Sequence, residues 1–341
     1  MDAKPVTMGV IGYGHFLRTN FVLHLKECEA IRIVGVYNRG EERRKQAEQD
    51  GFWATGDLDE LLAIPDLESV LIGTSNAAHR EQAVRAAAAG KHVLCEKPLA
   101  LTMDDMDAMV EAVETAGVIN HVNHPSPYTD GFIKFRALCE AHAGRILHFW
   151  KRSTRAYGTW AQGARHTAVA NPEDSGGWTF HHFCHQLNDA FILLGGRAVR
   201  VYHVEQKSCD EAPSEEFVNS LVTFDSGATA FLSDSTSVGP FTDMGLQGTG
   251  ADLRLLNREL TLVKPGPEDS YDRPGNRKGV IETFAVEDTG KNLVEVGRRF
   301  AQAVRGGKND LISFRSVRDQ YKTLVAMRES ARTGRAVDVA P

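Results

Sequence analysis

From Val6 to about Val122, short apolar runs alternate with stretches in which apolar residues recur every three or four positions. The runs are Val6–Ile11, Ile31–Tyr37, Ser69–Ile72, His92–Cys95 and 118–122. Continuous apolar runs separated by helical patterns predict a parallel sheet covered by helices, the α/β class. The stretch after the first run places Leu17, Phe21 and Leu25 on one helical face, and Thr102 with Asp105 forms a capping box for a helix that Gly117 closes.

After residue 123 the pattern changes. Helices are expected near 131–143 and 178–194, followed by strand-like runs such as Phe217–Phe224 and 228–233, and two helices close the chain. This half reads as α+β with a mainly antiparallel open sheet. The stretch 268–279, rich in Pro, Gly, Asp and Arg, reads as a surface loop. The expected division is residues 1–122 as a first domain on a doubly wound parallel sheet, and residues 123–341 as a second, α+β domain. The closing helix, about 316–333, is expected to pack back on the first domain.

A chain of 341 residues, 42% hydrophobic, is long enough for two such cores. Its net charge is -6 with both signs interspersed, so no basic stripe for nucleic acid is present. No segment has the length of a membrane helix, and Met1–Pro5 lacks the apolar stretch and cleavage site of an export signal. The five cysteines, 28, 95, 139, 184 and 209, are odd in number and widely spaced, which disfavours a disulfide framework. A cytoplasmic location is expected.

Two clusters carry chemistry. The first is Gly12-Tyr13-Gly14 after the opening strand, followed by His15 and Phe16, where glycines allow a tight turn and the helix N-terminus favours a pyrophosphate. The third fingerprint position is Leu17 rather than glycine, which weakens the motif. About twenty residues later, Asn38 stands where an acid would read an NAD ribose, and Arg39, with Arg43 or Arg44, offers a partner for a 2'-phosphate. NADP is therefore preferred to NAD, although an arginine stacked on adenine suits both. Within the same cluster Glu96-Lys97-Pro98 follows a strand, where open α/β sheets bind ligands. A lysine beside an oxidised nicotinamide has its pKa lowered toward the range useful in proton transfer, and proline restrains the backbone around it.

The second cluster is 177–194, where His181, His185 and Asp189 recur every four residues and so share a helical face. Asp189 can orient His185 and fix its tautomer, as a general base requires. Paired histidines can also bind zinc, with His182 and Cys184 nearby, but no further ligand cluster completes the set and no metal is expected. Trp160, Arg165 and Trp178 form a natural wall for a sugar or an acidic substrate, or else order a long loop.

Through "GVIGYG", "AGKHVLCEKPLALT", "SGGWTFHHFCHQLND" and "SVRDQYKTLVAMRESARTGRAV", the chain resembles the Gfo/Idh/MocA family of glucose-fructose oxidoreductases and inositol dehydrogenases over essentially its whole length. The resemblance implies that residues 1–122 are a Rossmann dinucleotide-binding domain and 123–341 a substrate and oligomerisation domain with an open sheet, in a homo-oligomer, dimer or tetramer, that exchanges hydride between NAD(P) and a sugar, polyol or glycoside. It implies Lys97 as the catalytic lysine and His185 as the proton-exchanging histidine. Thr74, Ser75, Asn76 and His79 match the loop that touches ribose and nicotinamide. Two positions depart from the family pattern: His181 replaces an aspartate, which brings it among the catalytic candidates, and Asn188 replaces another. After the sixth strand only an aromatic is kept, Tyr128, as a pocket-lining or core residue. Two other readings stay open: redox-neutral glycoside cleavage with tightly held cofactor, and a cofactor-binding sensor without catalysis.

Overall fold

The computed structural model describes residues 4–236, 239–268, 271–273, 276–287 and 292–341. They form two compact units, Met1–Tyr128 with Lys291–Arg318, and Thr129–Gly290 with Asp319–Pro341. The first unit thus runs six residues past the expected division at 122 and recruits a closing segment. The closing helix, Phe314–Thr333, leaves that unit after Arg318, so most of it belongs with the second unit rather than the first.

The first unit is built on strands β1 (Val6–Ile11), β2 (Ile31–Tyr37), β3 (Ala54–Thr55), β4 (Ser69–Ile72), β5 (His92–Cys95) and β6 (Asn120–Val122), all parallel in the order β3-β2-β1-β4-β5-β6. Val10, Ile11, Val70, Leu71, Ile72, Val93 and Leu94 are fully buried, because helices cover both faces of such a sheet. Each buried side chain of this size contributes about 1.5–3 kcal/mol. The strands end in register, Ile11 beside Tyr37 and Ile72, and Ile72 beside Cys95. Loops 12–14, 38–40, 73–76 and 96–98 therefore leave one edge together. Chain order reverses between β1 and β4, the crevice where such sheets bind ligands.

The returning segment adds to the β6 edge. Val122 N–H donates to the Ile312 carbonyl (2.8 Å), Ile312 N–H to His121 Nδ1 (3.1 Å), and Phe314 N–H to Asn120 Oδ1 (2.7 Å). An imidazole that accepts at Nδ1 and is wholly buried stays neutral, and His121 is lowered to about 3, chiefly by that burial. Tyr128 packs edge-on against His121 (5.7 Å between ring centres) with the Arg299 guanidinium over its ring. It is buried in the core of this unit.

In the second unit, strands β7 (Ile146–Arg155), β8 (Ala198–Gln206), β9 (Phe217–Phe224), β10 (Thr229–Thr236), β11 (Phe241–Gly248), β12 (Asp252–Leu256), β13 (Glu259–Pro265), β16 (Gly279–Ala285) and β17 (Val337–Asp338) form one described sheet. Its order is β16-β13-β12-β11-β7-β10-β9-β8-β17, antiparallel except for β7 beside β10. Phe149, Leu232, Val218 and Val222 fill the face covered by helices Asp130–His142 and Cys184–Leu194. Tyr202, Leu221, Phe231 and Trp150 lie side by side on the other face, on four adjacent strands. The expected loop 268–279 contains the short paired strands β14 (Tyr271–Arg273) and β15 (Asn276–Arg277) and the first residue of β16. Residues 269, 270, 274 and 275 of that expectation lie outside the described residues. Among the described residues no helix is long and apolar enough to cross a membrane.

Candidate functional site

At the ligand edge of the parallel sheet, Gly12 has φ +97°, and a Cβ there would come within 2.9 Å of the Gly73 carbonyl and Thr74 Cγ2. Only glycine fits that turn. Gly14 has open space where its Cβ would stand, so a ligand can approach its backbone. The helical run 15–25 starts there, and its first amides, at His15, Phe16 and Leu17, have no carbonyl within the helix to bond. The missing third glycine is compensated from the neighbouring strand end: a Cβ on Gly73 would meet Leu17 Cδ1 at 2.5 Å, so Gly73 supplies the space that Leu17 fills.

Tyr13 N–H donates to Asn38 Oδ1 (3.0 Å), and Asn38 Nδ2 donates to the Gly40 carbonyl (3.2 Å). Asn38 thereby ties the two loops together. Arg44 donates to the carbonyls of Asn38 (3.0 Å) and Arg39 (2.7 Å), which leaves the exposed Arg39 side chain as the cation projecting from this loop.

Lys97 follows β5, half-buried, and its bond to Pro98 is cis. Glu96 beside it is buried; Asn123 Nδ2 donates to its Oε1 at 2.5 Å. Burial pushes the Glu96 carboxyl above its usual range, opposed by the Lys97 charge and the Asn123 hydrogen bond. His124 is lowered to about 3, first by burial and then by the Lys97 charge, and so is neutral near Lys97. Asn123 and His124 were missed in the sequence. They follow β6 at the same edge, and the strand-end rule that singled out Lys97 applies to them too.

In the second unit, Gly176 (φ +77°) and Gly177 (φ +74°) turn the chain into a π-helical turn, Thr179–Phe183, continued by helix Cys184–Leu194. A Cβ on Gly177 would meet Ser214 Oγ at 2.5 Å, and Glu215 Oε1 accepts from Thr179 N–H (2.8 Å). His181 stands in the π turn, whereas His185 and Asp189 stand one turn apart on the α-helix that continues it. His181 and His185 are half-buried, while Asp189 is wholly buried and ion-paired to Lys151 of β7. His182 and Cys184 are buried. Rings of Tyr157, His166, Trp178 and His182 gather beside His181, with centres 4.7 Å apart for His181 and His182 and 6.0 Å for His181 and His166.

Residues 6–124 match the family described as "Oxidoreductase family, NAD-binding Rossmann fold", and residues 134–254 match the "GFO/IDH/MocA C-terminal domain". The chain is 31% identical over 261 residues to 1,5-anhydro-D-fructose reductase of Ensifer adhaerens, covering 75% of this chain and 77% of that protein. The chain belongs to the GFO/IDH/MocA family. It is 31% identical over 195 residues to 2,7-anhydro-N-acetylneuraminate hydratase of Mediterraneibacter gnavus, and that match spans 57% of this chain and half of the relative. Levoglucosan dehydrogenase, solved with NADH and L-sorbose, shares the fold with a TM-score of 0.84 at 22% identity, over 99% of this chain and 100% of that one.

As a GFO/IDH/MocA protein the chain is a nicotinamide-dependent oxidoreductase, and the structure revises several expected contacts. The Tyr13 ring is fully buried and its hydroxyl donates to Asp50 (2.8 Å), so only its backbone faces the glycine loop. His79 is buried with Nδ1 3.3 Å from the Leu99 carbonyl, bracing the turn that follows Lys97. Thr74 donates to Gln82 Oε1 (2.6 Å), while Ser75 and Asn76 open helix Asn76–Ala88. Trp178 is fully buried, its indole donating to Asp234 (2.8 Å), and is no exposed wall. Arg165 lies over the Trp160 ring at 3.9 Å and donates to the Trp160 and Ala164 carbonyls, so this pair orders the loop. Asn188 accepts from Gln320 (3.0 Å) within the unit and is wholly buried. Asp189 is engaged by Lys151 of β7.

Proposed function

We propose that this oxidoreductase moves hydride between a nicotinamide cofactor and a secondary hydroxyl or ketone of a sugar, polyol or glycoside. The observation that carries the reading is the common edge of Gly12, Gly14, Arg39, Glu96 and Lys97 at the sheet's switch point. The first-turn amides of the 15–25 helix fit a pyrophosphate, with open space at Gly14. The cofactor, when bound, supplies the hydride acceptor or donor. His185 takes the hydroxyl proton, and Lys97 donates a hydrogen bond to the oxygen as negative charge develops on it. Glu96, held by Asn123, and the neutral His124 set the polarity around the Lys97 ammonium. Arg39, the exposed cation beyond Asn38, favours NADP by pairing with a 2'-phosphate. A second copy of the chain is the expected occupant of the apolar row Tyr202, Leu221, Phe231 and Trp150, and a reducing compartment suits the buried thiols.

A redox-neutral reaction is the second reading. It is favoured by the resemblance to a relative named a hydratase and by His181 in place of the family's aspartate. Sugars deuterated at the reacting carbinol carbon separate the two. Label on the reduced cofactor supports the dehydrogenase, label returned to product without net cofactor reduction supports the second reading, and label left in unreacted sugar contradicts both.

A further inference from the structure

Tyr157 follows β7 in a turn in which its N–H donates to the Arg155 carbonyl (2.9 Å). Its ring is stacked on His166, with centres 4.5 Å apart and planes 19° from parallel. It meets Trp178 at 6.3 Å and His182 at 5.7 Å, yet it stays 47% exposed. One face is therefore covered by an imidazole, and much of the remaining ring surface is open.

The support beneath it is fixed from several directions. His166 Nδ1 accepts from Ala168 N–H (3.2 Å), which sets the ring orientation and leaves the proton of the neutral form on Nε2. Trp178 is pinned by Asp234, and its ring centre is 4.3 Å from that of His182. A large aromatic locked by stacking and hydrogen bonds loses little freedom when a ligand covers it. Its position matters as much as its rigidity: His166, on which it rests, is a direct ring neighbour of His181 at 6.0 Å.

We propose that Tyr157, backed by His166, is the platform on which the apolar face of a ring-shaped substrate, a pyranoside or cyclitol, rests while its hydroxyls reach the histidines. The inference builds on the sugar or polyol reading of this site. A six-membered polyol ring presents a flat patch of C–H groups made slightly positive by neighbouring oxygens, which complements the negative face of an aromatic ring. An open-chain polyol has no such patch and must freeze several rotors on binding. Tyr157 is thus a specificity residue that selects ring over chain.

Saturation-transfer NMR on the full chain with added NADP, using methyl glucopyranoside and myo-inositol as ring probes and sorbitol as the open-chain probe, tests this. The expected result is transfer to the ring C–H protons, with Tyr157→Ala weakening ring-probe affinity about tenfold relative to sorbitol and Tyr157→Phe retaining it. Far-ultraviolet dichroism checks that each variant is folded. Absence of transfer to both ring probes in the parent, or an equal effect of Tyr157→Ala on ring and chain probes, overturns the proposal. Saturation transfer reads binding whether or not hydride moves, so absence of turnover with ring binding intact would count against the dehydrogenase reading alone.

Discussion

Asn38 and Arg39 are sequence neighbours with opposite fates. Asn38 is turned onto the glycine loop through Tyr13 N–H, whereas Arg39 projects outward and Arg44 holds its backbone. On the proposed NADP reading, a charge-assisted contact of Arg39 with the 2'-phosphate would contribute about 1.5–3 kcal/mol. Arg39→Ala is therefore expected to weaken NADP binding by roughly tenfold to a hundredfold and to leave NAD nearly unchanged. Separate fluorescence titrations with the two cofactors check this, and an unchanged NADP preference would remove Arg39 from the account. At this scale the sequence was informative where backbone geometry demands one residue type, as at Gly12. It was uninformative about where side chains turn. Trp178, Tyr13 and His79 all belong to suggestive motifs, yet burial assigns them to packing and bracing. That assignment depends on Asp234, Asp50 and Leu99, which are distant along the chain or give no periodic signal of their own.

Among the elements, β1, β4 and β5 were legible to the residue because a parallel strand buried on both faces reads as one apolar run, and β2 was legible through its β-branched residues although Arg32 is exposed. The helix over 103–115 was equally legible: Thr102 accepts from Asp105 N–H (3.1 Å), and Gly117 closes it with φ +63°. The histidine helix was less so, since an α-helical period of four cannot reveal a π turn, and the partner of Asp189 lies on a strand 38 residues earlier. That partner makes a prediction at this level. Lys151 and Asp189 are 10% and 0% exposed, and breaking a buried pair strands a charge. Asp189→Asn is expected to cost about 3–5 kcal/mol in guanidinium denaturation, with much of it regained when Lys151→Met is added. A loss below about 1 kcal/mol would show that the pair is solvated.

At the level of the whole molecule, composition and alternation conveyed two cores and their classes, but not the return of 291–318 to the first unit. That return rests on amides of Ile312 and Phe314 finding His121 and Asn120, contacts nearly two hundred residues apart that carry no local pattern. The open sheet face carries a further prediction. Phe231 is 42% exposed between Leu221 and Trp150, and a charge in such a row opposes burial against another copy. Phe231→Glu is expected to shift the species seen by light scattering to the mass of one chain, while an unchanged assembly would place the interface elsewhere.

The central claim is that Lys97 serves a hydride-transfer reaction at the switch-point edge. The most direct test is reduced-nicotinamide absorbance after mixing the protein and Lys97→Ala with NAD or NADP and a panel of sugars, polyols and glycosides. Signal from the parent, lowered by at least about a hundredfold in the variant, is the predicted result. Equal signals from the two proteins would contradict it.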